Sequence, residues 1–217
     1  MIYSFLLPVL AFLLFFKKLK SSNYIVIPLV LYSLIFFTFL QIDDYLSAHY
    51  RHEYTTVYTS LEYLFFTYII GHIIENKKAR RVLLGLSVLF VAFQIIYFFK
   101  VKFKTIDSIP IGVESILIFT YIVILFYEQF QKPRAHYIYS NPWFGIIIGI
   151  MIYLACSFFF NIMASNISKK AMSQYWFLTW IFETIKNALF AISILMYSRK
   201  PVESRHHHSS VPYLDMI

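Results

Sequence analysis

Seven apolar runs, separated by short charged or polar breaks, fill almost the whole 217-residue chain. They are Ile2–Phe16, Tyr24–Ile42, Thr55–Ile74, Val82–Phe99, Ile109–Phe130, Pro142–Ala164 and Tyr175–Tyr197. All but the first reach the roughly 17–25 residues that a helix needs to cross the hydrocarbon core of a bilayer. The first is shorter, but Lys17, Lys18 and Lys20 follow it, and lysine stems can reach back along apolar surface while the ammonium stays in water. In lipid every backbone polar group must be satisfied within the chain, so long apolar runs fold as helices. The pattern therefore predicts an all-α, polytopic membrane protein. Residues 1–200 form a seven-transmembrane-helix bundle, and residues 201–217 a short cytoplasmic tail expected to be disordered. The first run lacks a basic leader, and Lys17–Asn23 offers no small-residue cleavage site. It reads as a retained helix rather than a signal peptide.

Composition sharpens this picture. Hydrophobic residues make up 59% of the chain and charged residues 14%, against about 25% charged in soluble domains. The net charge of +8 suggests nucleic acid only until the basic residues are located, because they cluster in the breaks. Twelve of them fall in the breaks after runs 1, 3, 5 and 7: Lys17, Lys18, Lys20, Lys77, Lys78, Arg80, Arg81, Lys132, Arg134, Arg199, Lys200 and Arg205. The opposite face holds six: Arg51, Lys100, Lys102, Lys104, Lys169 and Lys170. Cytoplasmic loops are enriched in Lys and Arg, so the N-terminus is expected outside and the C-terminus in the cytoplasm, in a cell (inner) membrane. No nucleic-acid partner is expected; the bilayer is the partner the composition names. The single Cys156 excludes an intrachain disulfide and reads as a small buried hydrophobe.

Candidate chemistry lies where the pattern is broken inside the runs. An ionisable side chain at mid-membrane depth costs roughly 2.5–3.5 kcal/mol on insertion scales and marks a site by default. Four such residues stand out: Glu62 in run 3, Glu114 in run 5, and Glu183 with Lys186 in run 7. Counting ~1.5 Å of rise per residue from the outer boundaries puts the three acids at similar levels in the outer half. Gln94 approaches that level in run 4. Tyr153, Ser157 and Asn161 recur every four residues in run 6, and Thr179, Glu183, Lys186, Asn187 and Phe190 form a stripe in run 7. Such spacings place residues on one helix face. Glu114, Tyr121 and Glu128 share a face of run 5 by their seven-residue spacing, with Glu128 near the inner boundary and expected to meet water. The functional reading is a polar cavity in the outer half, lined by Glu62, Glu114, Glu183 and Lys186, with Asn187, Tyr153, Ser157 and Gln94 as further ligand-binding candidates. The structural alternative is interhelical glue, with Glu183 and Lys186 paired along one helix and the remaining acids bonded to tyrosine hydroxyls. Gly145 and Gly149 form a small-xxx-small pair that permits close helix approach, within the chain or between copies.

Familiar catalytic signatures are missing. The chain has no phosphate-binding glycine loop, no Gly-x-Ser-x-Gly elbow and no His-Glu-x-x-His, so no catalytic residue, metal or cofactor is assigned. His49 and His52 form one pair in a loop, and His206–His208 lie in the tail. Lys186 in the last run invites comparison with a retinal-binding lysine, but the aromatic and proline pattern of runs 6 and 7 does not look like a rhodopsin. Paired acids can do general acid–base work, which keeps a membrane-embedded lipid hydrolase as a third reading.

Tyr58-Thr-Ser-Leu-Glu62-Tyr-Leu-Phe-Phe, Pro110-Ile-Gly-Val-Glu114-Ser, Tyr127-Glu128, Asn141-Pro-Trp143-Phe and Lys186-Asn187-Ala-Leu-Phe190 resemble a group of small, uncharacterised seven-helix membrane proteins of Bacteroidota. The resemblance covers about residues 20–200 and implies no established activity. Such proteins often accompany sensor kinases, which implies signalling by association. The leading expectation is a non-enzymatic receptor or sensor whose acids bind a small molecule or a proton, with a signalling partner at the cytoplasmic loops. The main alternative is a proton-coupled small-molecule carrier, although a seven-helix unit without inverted repeats departs from the usual transporter plan.

Overall fold

The computed structural model describes residues 2–15, 25–43, 45, 50–100, 108–131, 135–164 and 169–198. Among these residues every regular element is a helix. A 3-10 turn, Ile2–Phe5, leads into α1, Leu6–Phe15; α2 is Val26–Asp43, α3 Arg51–Ile73, α4 Lys77–Lys100 and α5 Ser108–Phe130. A second 3-10 segment, Ala135–Ser140, leads into α6, Pro142–Ala164, and α7 is Lys169–Ser198. The tail from 201, the basic residues of the 101–107 break, Lys17, Lys18, Lys20, Lys132, Arg134, Arg199 and Lys200, and His49 lie outside the described residues.

Local chemistry explains several boundaries. Pro8, Pro28, Pro110 and Pro142 each fall in the first turn of their helix. There a missing N–H removes no intrahelical bond. Asn76 starts α4 by accepting the Lys78 and Ala79 N–H groups on Oδ1, at 2.9 and 3.4 Å, the bonding expected of an N-cap residue. Hydroxyls inside the helices bond back to their own backbone, as Ser33 does to Leu29, Ser115 to Ile111 and Thr184 to Trp180. This satisfies them without water.

Four helical stretches are long and apolar enough to cross a bilayer: Lys77–Lys100, Ile109–Phe130, Pro142–Met163 and Phe177–Ser198. Tyr3–Phe15 and Val26–Ile42 are shorter apolar helices. The distribution of polarity is that of a membrane protein. Leu14, Val88, Leu89, Val123 and Phe159 face outward, whereas Glu62, Glu114, Glu183 and Lys186 are buried. Large exposed apolar surface is unfavourable in water and neutral in lipid.

Sequential neighbours pack in a closed order, α1 on α2 through α6 on α7, and α7 returns to α1. Helix α3 also meets α5 and α6, so it runs through the middle of the bundle. That position accounts for its polar sequence. A helix surrounded by α2, α4, α5 and α6 need not present an apolar face all round, and Thr59, Glu62, Tyr63 and Thr67 are all buried. Helices α6 and α7 approach closely at the glycine pair. A Cβ on Gly149 would sit 3.3 Å from the Leu189 Cβ and 3.5 Å from the Lys186 Cα. One on Gly145 would meet the Ser193 Oγ at 2.5 Å. The small-xxx-small pair therefore serves an interface within the chain.

Candidate functional site

Lys186 is the centre of the polar interior. It projects from the middle of α7 and is 0% exposed. Its ammonium lies 2.5 Å from Glu183 Oε1, one turn away on the same helix. It donates to the Tyr32 hydroxyl of α2 at 2.5 Å. Tyr32 in turn donates to Glu62 Oε1 of α3 at 2.8 Å, and Glu62 Oε1 is 3.8 Å from the ammonium. The second oxygen of Glu62 accepts from the Tyr153 hydroxyl of α6 at 3.1 Å. Four helices thus meet through one lysine and its partners.

Aromatic rings close the remaining space. The ammonium lies 3.9 Å from the centroid of Tyr153, 4.9 Å from Tyr32, 5.4 Å from Phe5 and 5.8 Å from Phe66. A desolvated cation over a ring face gains about 2 kcal/mol. Together with two carboxylates, this offsets the cost of taking an ammonium out of water. Tyr153 does both jobs, placing its ring under the cation and its hydroxyl on Glu62.

The other candidates spread around this centre. Glu114 on α5 is 2% exposed, and its Oε1 has no hydrogen-bond partner. Its helix packs against α3, which carries Glu62. Asn187 donates to the Ser4 hydroxyl at 3.1 Å and ties α7 to the turn before α1. Gln94 accepts a close hydrogen bond from Ser60, linking α4 to α3. Ser157 accepts from Asn161 on the same helix, at its carbonyl oxygen and hydroxyl. Of the eight candidates, Glu62, Glu183, Lys186 and Tyr153 are therefore brought into one network. Glu114 stands beside it, while Asn187, Gln94 and Ser157 hold other contacts.

Helix α3 begins at Arg51 and α7 at Lys169, several residues before their apolar runs start. Glu62 is the twelfth of the 23 residues of α3, at mid-helix. Glu114 is the seventh residue of α5, roughly 9 Å from its start at ~1.5 Å per residue.

Sequence reasoning missed Tyr32, the bridge between Lys186 and Glu62, and the rings of Phe5 and Phe66. It also missed a second polar layer toward the α3–α4 turn. There Tyr63 donates to Ser87 at 3.0 Å and shares a 2.8 Å hydrogen bond with Tyr121 of α5. One turn beyond α3, Glu128 Oε1 accepts the backbone N–H groups of Glu75 and Asn76 at 3.0 and 3.1 Å. Glu128, expected to meet water, is half-buried and also braces the turn. Among the described residues no group of three or more His, Cys, Asp or Glu is arranged to hold a metal ion. Two surface grooves are apolar and have no acid among their lining residues, one on α2–α3 around Pro28, Leu61 and Phe65, the other on α7 around Trp180. Compared with known proteins, the chain matches no protein-family model, no curated protein and no solved structure.

Proposed function

We propose that this protein is an integral membrane receptor or sensor. In this reading seven helices span a cell membrane, with the N-terminus outside and the C-terminus in the cytoplasm. An acid-lined polar site in the outer half of the bundle receives the stimulus, and the cytoplasmic loops pass the change to a signalling partner. The observation that carries the reading is the fully buried Lys186, shared by Glu183 and, through Tyr32, by Glu62. Packing alone needs no such network, since interhelical hydrogen bonds in membranes average about 0.6 kcal/mol. The reading requires a second arrangement of this network, and a stimulus that favours one of the two shifts their populations.

The second reading, a proton-coupled carrier, uses the same acids and is favoured by Glu114, a buried carboxyl on a helix that packs against α3. Proteoliposomes under an imposed pH gradient separate the two. A sensor leaves proton entry at the rate of protein-free vesicles. Entry that scales with protein content and falls in Glu62→Gln identifies a carrier. Single-cysteine labelling in a Cys156→Ser background tests orientation: an impermeant reagent added outside should reach residues 44–50 and leave Asn76–Arg80 unlabelled.

A further inference from the structure

We propose that the ligand of this site is the proton, and that Glu114 is the side chain that carries it. The biological role of this proton rests on the sensor reading above; its location does not.

Two buried carboxyl groups, Glu62 and Glu183, flank one ammonium, and a third, Glu114, is buried on α5 without an ion-pair partner among the described residues. Glu62 uses both oxygens as acceptors, from Tyr32 and from Tyr153, with the ammonium 3.8 Å from Oε1. Both Glu62 oxygens are thus already partnered. Glu183 is paired with the same ammonium at 2.5 Å, so the one cation of the network is faced by two carboxyl groups. Glu114 has an oxygen without a hydrogen-bond donor and is 2% exposed. An uncompensated charge there carries the full desolvation penalty of a buried ion, whereas the neutral acid carries only that of a polar group.

Among the described residues no cation is paired with Glu114. Helices α3, α4 and α6 and the 3-10 segment Ala135–Ser140, which carries His136, pack against α5. Helix α3 contributes Glu62, another carboxyl group. Helix α6 has no Asp, Glu, Lys, Arg or His. The buried polar side chains of α4 are Ser87 and Gln94, both uncharged. Lys186, on α7, is already engaged by Glu183 and Tyr32. Size points the same way. An organic ligand at Lys186 has to displace Glu183, Tyr32 or one of four rings, whereas a proton displaces nothing.

Loss of the proton sets a bare carboxylate of α5 against Glu62 of α3 and draws on Lys186. The same face of α5 carries Tyr121, bonded to Tyr63 of α3, and Glu128, bonded to the α3–α4 turn. A shift of α5 against α3 is therefore felt at the turn.

Infrared difference spectroscopy on purified protein in lipid, in H2O and D2O, tests the assignment through the carbonyl stretch of a protonated carboxylic acid. Wild type should show this band at neutral pH and lose it on raising the pH. Glu114→Gln should remove it, while Glu62→Gln and Glu183→Gln should each retain it. Absence of the band in the wild type, or its survival in Glu114→Gln, overturns the proposal. Should Glu114→Gln fail to fold, Glu114→Asp decides, because it keeps the acid and must shift the band; an unshifted band overturns the proposal. Proton entry into proteoliposomes is read separately, so the assignment can stand while the sensor reading falls, or fall while it stands.

Discussion

Two buried glutamate sites in this bundle solve opposite problems. At mid-bundle, Glu62 and Glu183 hold a side-chain charge, that of Lys186, with Tyr32 and Tyr153 completing the shell. At the α3–α4 end, half-buried Glu128 holds backbone, accepting the N–H groups of Glu75 and Asn76 where α3 has ended and α4 has not begun. The second arrangement has a structural explanation: a tight connection leaves donors without intrahelical partners, and a carboxylate from a neighbouring helix supplies the acceptor. The first has none of that kind. Its donors and acceptors are all side chains that the sequence could have omitted, and replacing a buried ion network with apolar groups is often neutral or stabilising. A glutamate that serves backbone is part of the scaffold, and glutamates that serve an optional lysine point to function.

The largest expected effect comes from breaking the network on one side only. Lys186→Met should destabilise the protein by about 3–5 kcal/mol, because Glu62 and Glu183 lose their cation while remaining buried. Adding Glu62→Gln and Glu183→Gln should restore most of that loss. Reversible unfolding in detergent or bicelles measures both. A silent Lys186→Met would place the network outside the energetics of the fold.

A smaller effect sharpens the comparison by moving the helix that carries Lys186. Gly149→Val should cost about 1–3 kcal/mol through overpacking, since even a Cβ meets Leu189 and the Lys186 backbone at 3.3–3.5 Å. Gly145→Ala should cost less, because its closest neighbour is the Ser193 hydroxyl, which can rotate away. Thermal denaturation of the two variants checks the order.

The smallest effect belongs to the scaffold site. Glu128→Gln keeps an acceptor oxygen and should change stability little. Glu128→Ala should cost about 1 kcal/mol, the net worth of a typical hydrogen bond, because water can reach this exposed turn. Equal, large losses in both variants would mean that the charge of Glu128, rather than its acceptor geometry, matters there.

What the sequence disclosed follows the same division. The charged members of the network were legible, because Glu62, Glu114, Glu183 and Lys186 interrupt runs that are otherwise apolar. Tyr32 was not, since one tyrosine among 18 carries no periodic mark and its partners lie 30 and 154 residues away. Glu128 was visible as an acid but not as a brace, because its partners are backbone groups of another connection. Helix α6 was bounded as observed, with Pro142 fixing its first turn. Helices α3 and α7 run longer than their apolar runs, since the bilayer limits hydropathy and not helix length. Gly145 and Gly149 signalled close approach; only the fold names α7 as the partner.

Through α5, a disturbance of the mid-bundle network should reach the α3–α4 turn, a link that packing alone does not require. Hydrogen–deuterium exchange in lipid nanodiscs on wild type and Glu183→Gln tests it most directly. The amides of Glu75 and Asn76 report on the turn. The amide of Phe144, bonded to the Asn141 carbonyl at 3.0 Å, is a control at the start of α6. Faster exchange is expected at Glu75 and Asn76, with Phe144 unchanged. Unchanged exchange at the turn, or equal acceleration at all three amides, would contradict it.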